Sequence, residues 1–166
     1  MGAGILPVTV FKGSILFLLG REQHHNNYWC DFGGKSNLNE SVFETAIREG
    51  YEEIDGLFGN KKKLSKSVSD NLISVYNIDR YTTHLFYVNP DILTNFPYYF
   101  NNHREFLEDE NLIINNKKEG LFEKNKVKLF SKNDLILNYD NIRPFYKEVV
   151  NDLLKIEKKS MNKFIH

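Results

Sequence analysis

Three glutamates lie close together in the stretch AIREGYEEIDG, residues 46–56. On a helix, Glu49, Glu52 and Glu53 are related as i, i+3 and i+4, so their carboxylates project from one side. Like charges this close repel one another, and near a helix C-terminus they also oppose the helix dipole. Arg48 supplies a single positive charge. Because carboxylates are hard ligands suited to Mg²⁺ or Mn²⁺, the pattern indicates a divalent-cation site that also binds substrate phosphates.

The same stretch, taken alone, also fits a solvated helix face, the commonest role of charged residues on a helix. The residues before this stretch favour a functional site over a solvated helix face. From Gly34 the chain reads glycine, five residues, Glu40, seven residues, Arg48-Glu49, two residues and two further glutamates. If each of these six positions matched by chance about once in fifteen, such a pattern would occur in this chain with a probability on the order of 10⁻⁵.

This spacing resembles the Nudix box, G-x5-E-x7-R-E-U-x-E-E-x-G-U, in which U is a bulky apolar residue. The chain departs from the box at Gly50, where the family has a bulky residue, and at Asp55, where it has glycine. Neither departure removes an acid of the box. We expect Gly50 to mark a close approach of the helix to a sheet or a bulky neighbour. We expect Gly56, as the left-handed residue, to end the helix one residue later than in the family.

The resemblance implies hydrolysis of a nucleoside diphosphate linked to another group, with Mg²⁺ or Mn²⁺ as cofactor. A metal-activated water attacks phosphorus in that chemistry, and the metal stabilises the charge of the leaving phosphate. At the matched positions, the resemblance implies that Glu49, Glu52 and Glu53 are metal ligands, with Glu53 the essential one. The carbonyl of Gly33 or Gly34 would complete the coordination, since glycine lets the backbone approach an ion closely.

Residues around these ligands have roles that the resemblance also implies. Glu40 and Arg48 would orient the glutamates. A further acid outside the box often acts as a base or an extra ligand in this family, at positions that vary. Glu123 is our first candidate and Glu119 our second, and a solvated loop acid is the alternative for both.

Substrate contacts are predicted from residue type and position. Arg21 follows an apolar strand and Lys35 follows the glycine pair, so both could meet phosphate. Tyr28 and Trp29 could stack on a base, although a tryptophan before a strand is also typical of a core.

Apolar periodicity predicts the elements that hold these residues. GILPVTVF and SILFLLG are β-rich runs separated by Lys12 and Gly13, which predicts a hairpin. A polar loop, REQHHNNYWCDFGGK, is predicted next. From Ser41 the apolar residues recur at helical steps, and Glu44 completes a capping box, so we expect a helix from about residue 41.

The second half of the chain is predicted from the same signals. We expect the lysine run 61–63 in a solvated loop, and residues 91–125 as an insertion with some helix that could form a lid over the site. Asp79 and Arg80 are expected near a turn between two strands, and Pro144 in the first turn of a terminal helix. The segments predicted as strands are LISVYNI, YTTHLFYVN and KVKLF, and the predicted terminal helix is RPFYKEVVNDLLKIEKK.

The order of elements agrees with the resemblance, which implies the α/β fold of the family, an α/β/α sandwich around a mixed β-sheet. A chain of 166 residues suits a single domain, 1–166. Cys30 is the only cysteine, which excludes an intrachain disulfide and fits a reducing compartment, so we expect a cytoplasmic protein. No apolar run is long enough to cross a bilayer, and nothing in the sequence indicates an oligomeric state.

The charge balance bears on the substrate. The 22 basic and 22 acidic residues give a net charge of zero and no long basic stripe. We therefore favour a small phosphorylated nucleotide derivative as the substrate over an mRNA cap or a diphosphoinositol phosphate. The mRNA cap remains an alternative substrate. The alternative function is a catalytically silent Nudix-like module that binds a nucleotide or a protein. Its expected mark is the loss of a box acid, and all the acids are present.

Overall fold

Strands and helices alternate along the residues that the computed structural model describes, which are 1–23, 25–110 and 123–165. The strands are β1 Gly2–Phe11, β2 Ser14–Glu22, β3 Trp29–Cys30, β4 Phe32–Lys35, β5 Leu72–Ile78, β6 Tyr81–Tyr87 and β7 Lys124–Phe130. The α-helices are α1 Val42–Glu53, α2 Lys61–Asp70, α3 Pro90–Leu93, α4 Phe96–Asp109, α5 Lys132–Leu137 and α6 Lys147–Leu153. Three 3-10 helices span Tyr139–Asn141, Pro144–Tyr146 and Lys158–Phe164.

One mixed sheet of seven strands organises these elements around β1. One edge of β1 pairs with β6 in parallel. The other edge is shared, because the first half of β1 pairs with β4 and its second half pairs with β2, both antiparallel. β7 and β3 pair with β2, and β5 pairs with β6. The sheet therefore divides beside the middle of β1, where β2 and β4 meet the same edge.

Both faces of the sheet are covered by helices. Side chains alternate along β1, so that Ala3 and Ile5 belong to the core under α1 to α4, whereas Leu6 and Val8 belong to the core under α5 and α6. The arrangement confirms the α/β/α sandwich with a mixed sheet that we predicted. Among the described residues, the helices are too short or too polar to span a bilayer.

Helix α1 begins as predicted. Ser41 Oγ accepts a hydrogen bond from the Glu44 N–H at 3.2 Å, and the Glu44 carboxylate accepts one from the Ser41 N–H at 2.9 Å. Gly50 is buried against β1, where a Cβ atom would lie 2.5 Å from Ile5 Cδ1. The close approach predicted at Gly50 is confirmed.

The end of α1 agrees with the prediction in part. The helix stops at Glu53, and the backbone is left-handed at Asp55, with a φ of +53°, as well as at Gly56, with a φ of +67°. The prediction that Gly56 would be left-handed is confirmed, but Asp55 adopts the same conformation one residue earlier. Aspartate tolerates this conformation better than most residues do, so Asp55 turns the chain where the family has glycine.

Two segments predicted as loops are ordered elements. The polar stretch after β2 contains the short strands β3 and β4. They form because β3 pairs with β2 and β4 pairs with β1, and the composition of the stretch does not predict these pairings. The lysine run 61–63 opens α2 instead of lying in a loop. Asn60 caps that helix by accepting a hydrogen bond from the Lys63 N–H at 2.9 Å, and Leu64 and Val68 anchor it in the core.

The structure confirms the hairpin at Lys12 and Gly13 and the strands β5, β6 and β7. The C-terminal region, in contrast, consists of several short helices and not of one long helix. Pro144 opens a 3-10 turn, not an α-helix, and only Lys147–Leu153 of the predicted terminal helix is α-helical. The capping box of Ser131 and Asp134 starts α5, which periodicity did not reveal because the helix has only six residues.

The predicted insertion contains α3 and α4. Asn101 of α4 joins it to the sheet, since its side chain donates to the Val127 carbonyl at 3.1 Å and accepts from the Val127 N–H at 2.9 Å. Residues 111–122 lie outside the described residues. The role of this segment as a lid stays a prediction.

Candidate active site

Glu53 is the innermost of the three glutamates and is almost fully buried. The Gly33 N–H donates a hydrogen bond to Glu53 Oε2 at 2.6 Å, and Lys124 Nζ lies 3.4 Å from Glu53 Oε1. Burial raises the pKa of Glu53 to about 8, because the loss of hydration outweighs the attraction of Lys124, and the nearby charges of Glu22 and Glu123 raise it further. A cation near this carboxylate would favour its ionised form.

Arg48 binds the remaining acids of the pattern. Its Nε and Nη2 donate to the two oxygens of Glu40, both at 2.8 Å, and its Nη1 donates to Glu49 at 2.8 Å and to Glu52 at 3.4 Å. Nη2 also reaches the Lys35 carbonyl at 2.9 Å, which joins α1 to the end of β4. The hydrogen bonds from Arg48 hold the pKa of Glu40 near 2. This geometry supports the orienting role predicted for Glu40 and Arg48.

The glycine pair lets these acids approach β4. A Cβ atom on Gly34 would lie 2.5 Å from the carboxylate carbon of Glu49, and one on Gly33 would collide with the Tyr81 hydroxyl. Burial raises the pKa of Glu49, and the hydrogen bond from Arg48 opposes that rise. The predicted ligands Glu49 and Glu53 thus both lie against the backbone of the glycine pair, whereas Glu52 contacts Lys61 at 3.3 Å.

A second charged cluster adjoins Glu53, and sequence reasoning missed it. Lys124 Nζ lies 3.1 Å from Glu22 Oε1, and Arg143 Nη1 lies 2.6 Å from the same oxygen. Lys124 is fully buried and Glu22 nearly so. A faint signal was available in Gly20, an interior glycine of an apolar strand, because a Cβ atom there would lie 2.8 Å from Lys124 Cδ.

A buried acid lies between β3 and β4, two residues before the glycine pair. Asp31 accepts hydrogen bonds from the Tyr81 hydroxyl at 2.8 Å and from the Thr83 hydroxyl at 2.7 Å. Burial raises its pKa to about 6, although these hydrogen bonds oppose the rise. Cys30 is a free, buried thiol whose pKa burial raises, so it is poorly suited to nucleophilic chemistry.

The candidates for an additional acid differ in position. Glu123 is exposed and precedes β7, and its charge is near enough to raise the pKa of both Glu49 and Glu53. Glu119 lies outside the described residues.

A cavity of about 420 Å³ opens beside the glycine pair. Among the predicted substrate contacts, Lys35 lines this cavity. Arg21 does not, since its Nε donates to Asn125 and its guanidinium lies over the ring of Trp29. Trp29 packs edge-on against Phe130 of the core. Half-buried Tyr28 also lies outside the cavity lining.

Other residues of the cavity wall were not predicted. Cationic Arg80 and Arg143 lie with aromatic Tyr81 and Phe145, and the Arg143 guanidinium is 5.0 Å from the centre of the Phe145 ring. Sequence spacing could not reveal these four residues because they come from two segments that lie about 60 residues apart in the chain, at 80–81 and 143–145. A second cavity of about 420 Å³, between the β1–β2 turn and Lys158, contains none of the predicted residues.

The donor set fits a hard divalent cation. In the described part of the chain, no three His, Cys, Asp or Glu side chains converge as a ready-made metal site. The acids are instead paired with Arg48, Lys61 and Lys124. Two of them, Glu49 and Glu53, nevertheless have raised pKa values, which a cation would lower. Carboxylate and carbonyl oxygens beside glycine are the ligands that Mg²⁺ and Mn²⁺ use.

Comparison with solved structures identifies the fold. The Ap4A hydrolase of C. elegans superposes with a TM-score of 0.52 at 16% identity, over 99% of this chain and 97% of that chain. A bifunctional NMN adenylyltransferase/ADP-ribose pyrophosphatase from Francisella tularensis, complexed with AMP and a Mn ion, gives 0.51 at 14% identity, over 92% of this chain and 41% of that chain. No family model and no curated protein matches. The chain therefore has the Nudix fold, as the motif predicted.

Proposed function

We propose that this protein is a Mg²⁺- or Mn²⁺-dependent Nudix hydrolase that cleaves the diphosphate of a small nucleoside diphosphate derivative. One observation carries the proposal. On a Nudix fold, every acid of the box is present, and Glu49 and Glu53 lie against the glycine pair that borders a cationic cavity. The solved structures of similar fold include proteins named for hydrolysis of Ap4A and of ADP-ribose.

The roles follow from the positions of the side chains. Glu49, Glu52 and Glu53, with a carbonyl of Gly33 or Gly34, would hold the cation, which when bound supplies charge neutralisation and a more acidic water. Arg48 orients these acids through hydrogen bonds to Glu49 and Glu52. The exposed Glu123 is the candidate base and Glu119 the second candidate. Glu22 is less suited to that role because its Oε1 is already held by two cationic side chains.

The cavity is our candidate for the substrate site. Lys35, Arg80 and Arg143 would contact phosphate, and Phe145 and Tyr81 offer aromatic faces to a base. Three cations suit a di- or polyphosphate, and the limited volume favours a small molecule. A cytoplasmic location is part of the proposal and is supported by the free, buried thiol of Cys30.

The function is tested by incubating the purified protein with ADP-ribose, dinucleoside polyphosphates and nucleotide sugars, with and without Mg²⁺ or Mn²⁺. We expect metal-dependent cleavage of at least one compound. Glu53→Gln should lower kcat by about 10²-fold or more, because the reacting phosphate loses several kcal/mol of stabilisation. Glu44→Gln is the matched control, since glutamine also completes a capping box and Glu44 lies on the same helix.

Two results would contradict the proposal in different ways. If no compound is cleaved with either metal, the enzymatic function is wrong for this panel. If Glu53→Gln retains full activity, the assignment of the site is wrong. The alternative, a silent binding module, draws support from the pairing of the box acids with protein cations, and it predicts nucleotide binding by calorimetry without cleavage.

A further inference from the structure

Lys124 is placed between two buried carboxylates. Its ammonium nitrogen lies 3.1 Å from Glu22 Oε1 and 3.4 Å from Glu53 Oε1. None of the three side chains has more than a few per cent of its surface exposed. Burial alone lowers the pKa of a lysine, but the carboxylates of Glu53 and Glu22 raise that of Lys124 on balance, so the side chain is charged.

The backbone makes room for Lys124 in this position. Gly20 of β2 lies where a Cβ atom would be 2.8 Å from Lys124 Cδ and 2.9 Å from its Cγ. Strand β7 pairs with β2 in this region, with Lys124 opposite Glu22. Since the aliphatic chain crosses Gly20 and its ammonium is enclosed, Lys124 is part of the folded core and not a mobile surface lysine.

One oxygen of the cluster remains a potential ligand. Within the described part of the chain, Glu22 Oε2 is buried and accepts no hydrogen bond, whereas Glu22 Oε1 contacts both Lys124 and Arg143. Glu22 Oε1 and Glu53 Oε1 both face the same point between the two side chains. Two carboxylates arranged in this way are typical ligands of a divalent cation. At that point the structure has the ammonium group of Lys124.

We propose that Lys124 is a positioning residue that occupies the place where Glu22 and Glu53 would otherwise share a divalent cation. This inference rests on the proposed function. The ammonium holds the Glu53 carboxylate beside Gly33 and repels a second cation by charge and by volume. Metal binding is thereby confined to Glu53 with Glu49, which also lies against the glycine pair, and Glu52 of the same helix.

The test is the number of Mn²⁺ ions bound per chain, measured by electron paramagnetic resonance and calorimetry without substrate. Lys124→Met keeps the aliphatic length and removes the charge, so we expect about one additional Mn²⁺ per chain. Lys124→Arg restores a cation and should bind the wild-type number. Glu22→Gln combined with Lys124→Met removes one of the two acids, and the additional ion should be lost. Lys126→Met, at an exposed position of the same strand, is the control and should bind the wild-type number.

A folded Lys124→Met variant that binds the wild-type number of Mn²⁺ ions would overturn the inference. If Lys124→Met does not fold, the single variant Glu22→Gln tests the inference instead. It should leave the Mn²⁺ number of the wild type unchanged, because Lys124 keeps metal away from Glu22, and a loss of one ion would contradict the inference. These measurements need no turnover, so they are independent of the cleavage assay that tests the proposed function.

Discussion

Arg48 sets the geometry of the acids around it, because one guanidinium reaches Glu40, Glu49 and Glu52 at once. The motif spacing indicated an orienting role for Arg48, but it did not show which carboxylate receives the paired hydrogen bonds. That partner is Glu40, eight residues earlier and in the loop before α1. Such a pairing is stronger than a single hydrogen bond and fixes the direction in which the guanidinium points.

The pairing of Glu40 with Arg48 predicts how stability depends on pH. The pKa of Glu40 is lowered from 4.5 to about 2. The contribution of ionised Glu40 to the free energy of unfolding is therefore fully present above about pH 4.5 and is lost as the pH falls through 2. At pH 6, Glu40→Gln should lower the free energy of unfolding by about 1–2 kcal/mol, since partial exposure weakens a charged hydrogen bond. The difference between variant and wild type should shrink from pH 4.5 downwards.

Urea unfolding of both proteins between pH 6 and pH 2.5 measures this effect. Glu148→Gln, at an exposed position of α6, is the control and should follow the wild type throughout. A difference for Glu40→Gln that stays constant across the range would show that the ionised form of Glu40 does not stabilise the fold.

At the level of elements, the packing of α1 on β1 positions the whole acidic face. Gly50 brings the helix onto Ile5, and this contact places Glu53 beside the Gly33 N–H. The helix and its start were predictable, because periodicity and capping are local signals. The strands β3 and β4 were not, since two to four residues carry too little pattern and depend on pairing with distant strands.

Gly50→Ala tests the close approach of α1 to β1. Alanine favours a helix by about 1 kcal/mol, but its Cβ would lie 2.5 Å from Cδ1 and 2.6 Å from Cγ1 of the fully buried Ile5. Overpacking of this kind costs about 1–3 kcal/mol, so we expect a net loss of stability of up to about 2 kcal/mol. Urea denaturation measures it.

The matched variant is Ile5→Val, which removes Cδ1 and costs about 0.5–1.5 kcal/mol alone. Combined with Gly50→Ala, it should cost less than the sum of the single changes, because the two residues are in contact. Strict additivity, or a stabilised Gly50→Ala, would be inconsistent with the packing described.

At the level of the whole molecule, the divided edge of β1 brings together segments that are far apart in the chain. β2 and β4 meet the same edge, and β7 pairs with β2, so Lys124 reaches Glu22 and Glu53. Helix α4 then closes this side of the fold through Asn101 and Val127, which lie 26 residues apart. The position of Lys124 therefore depends on the pairing of the whole sheet.

Asn101→Ala tests the attachment of α4 to β7. The change leaves the Val127 N–H and carbonyl without their side-chain partner, so the free energy of unfolding should fall by about 1–3 kcal/mol. Hydrogen exchange at the Val127 amide should become faster. Asn102→Ala, at the exposed neighbouring position, should change neither quantity. Unchanged protection of Val127 in Asn101→Ala would show that α4 is not held to the strand by this contact.

The sequence by itself determined the features that depend on neighbours in the chain. These are the hairpin, the capped helix, and the spacing of Arg48, Glu49, Glu52 and Glu53, since a helix converts spacing directly into a shared face. Only the tertiary structure decided that Glu53 would be buried and Glu123 exposed, and that Lys124 would contact Glu22, 102 residues away. Contacts at that separation arise from strand pairing and burial, which no local period encodes.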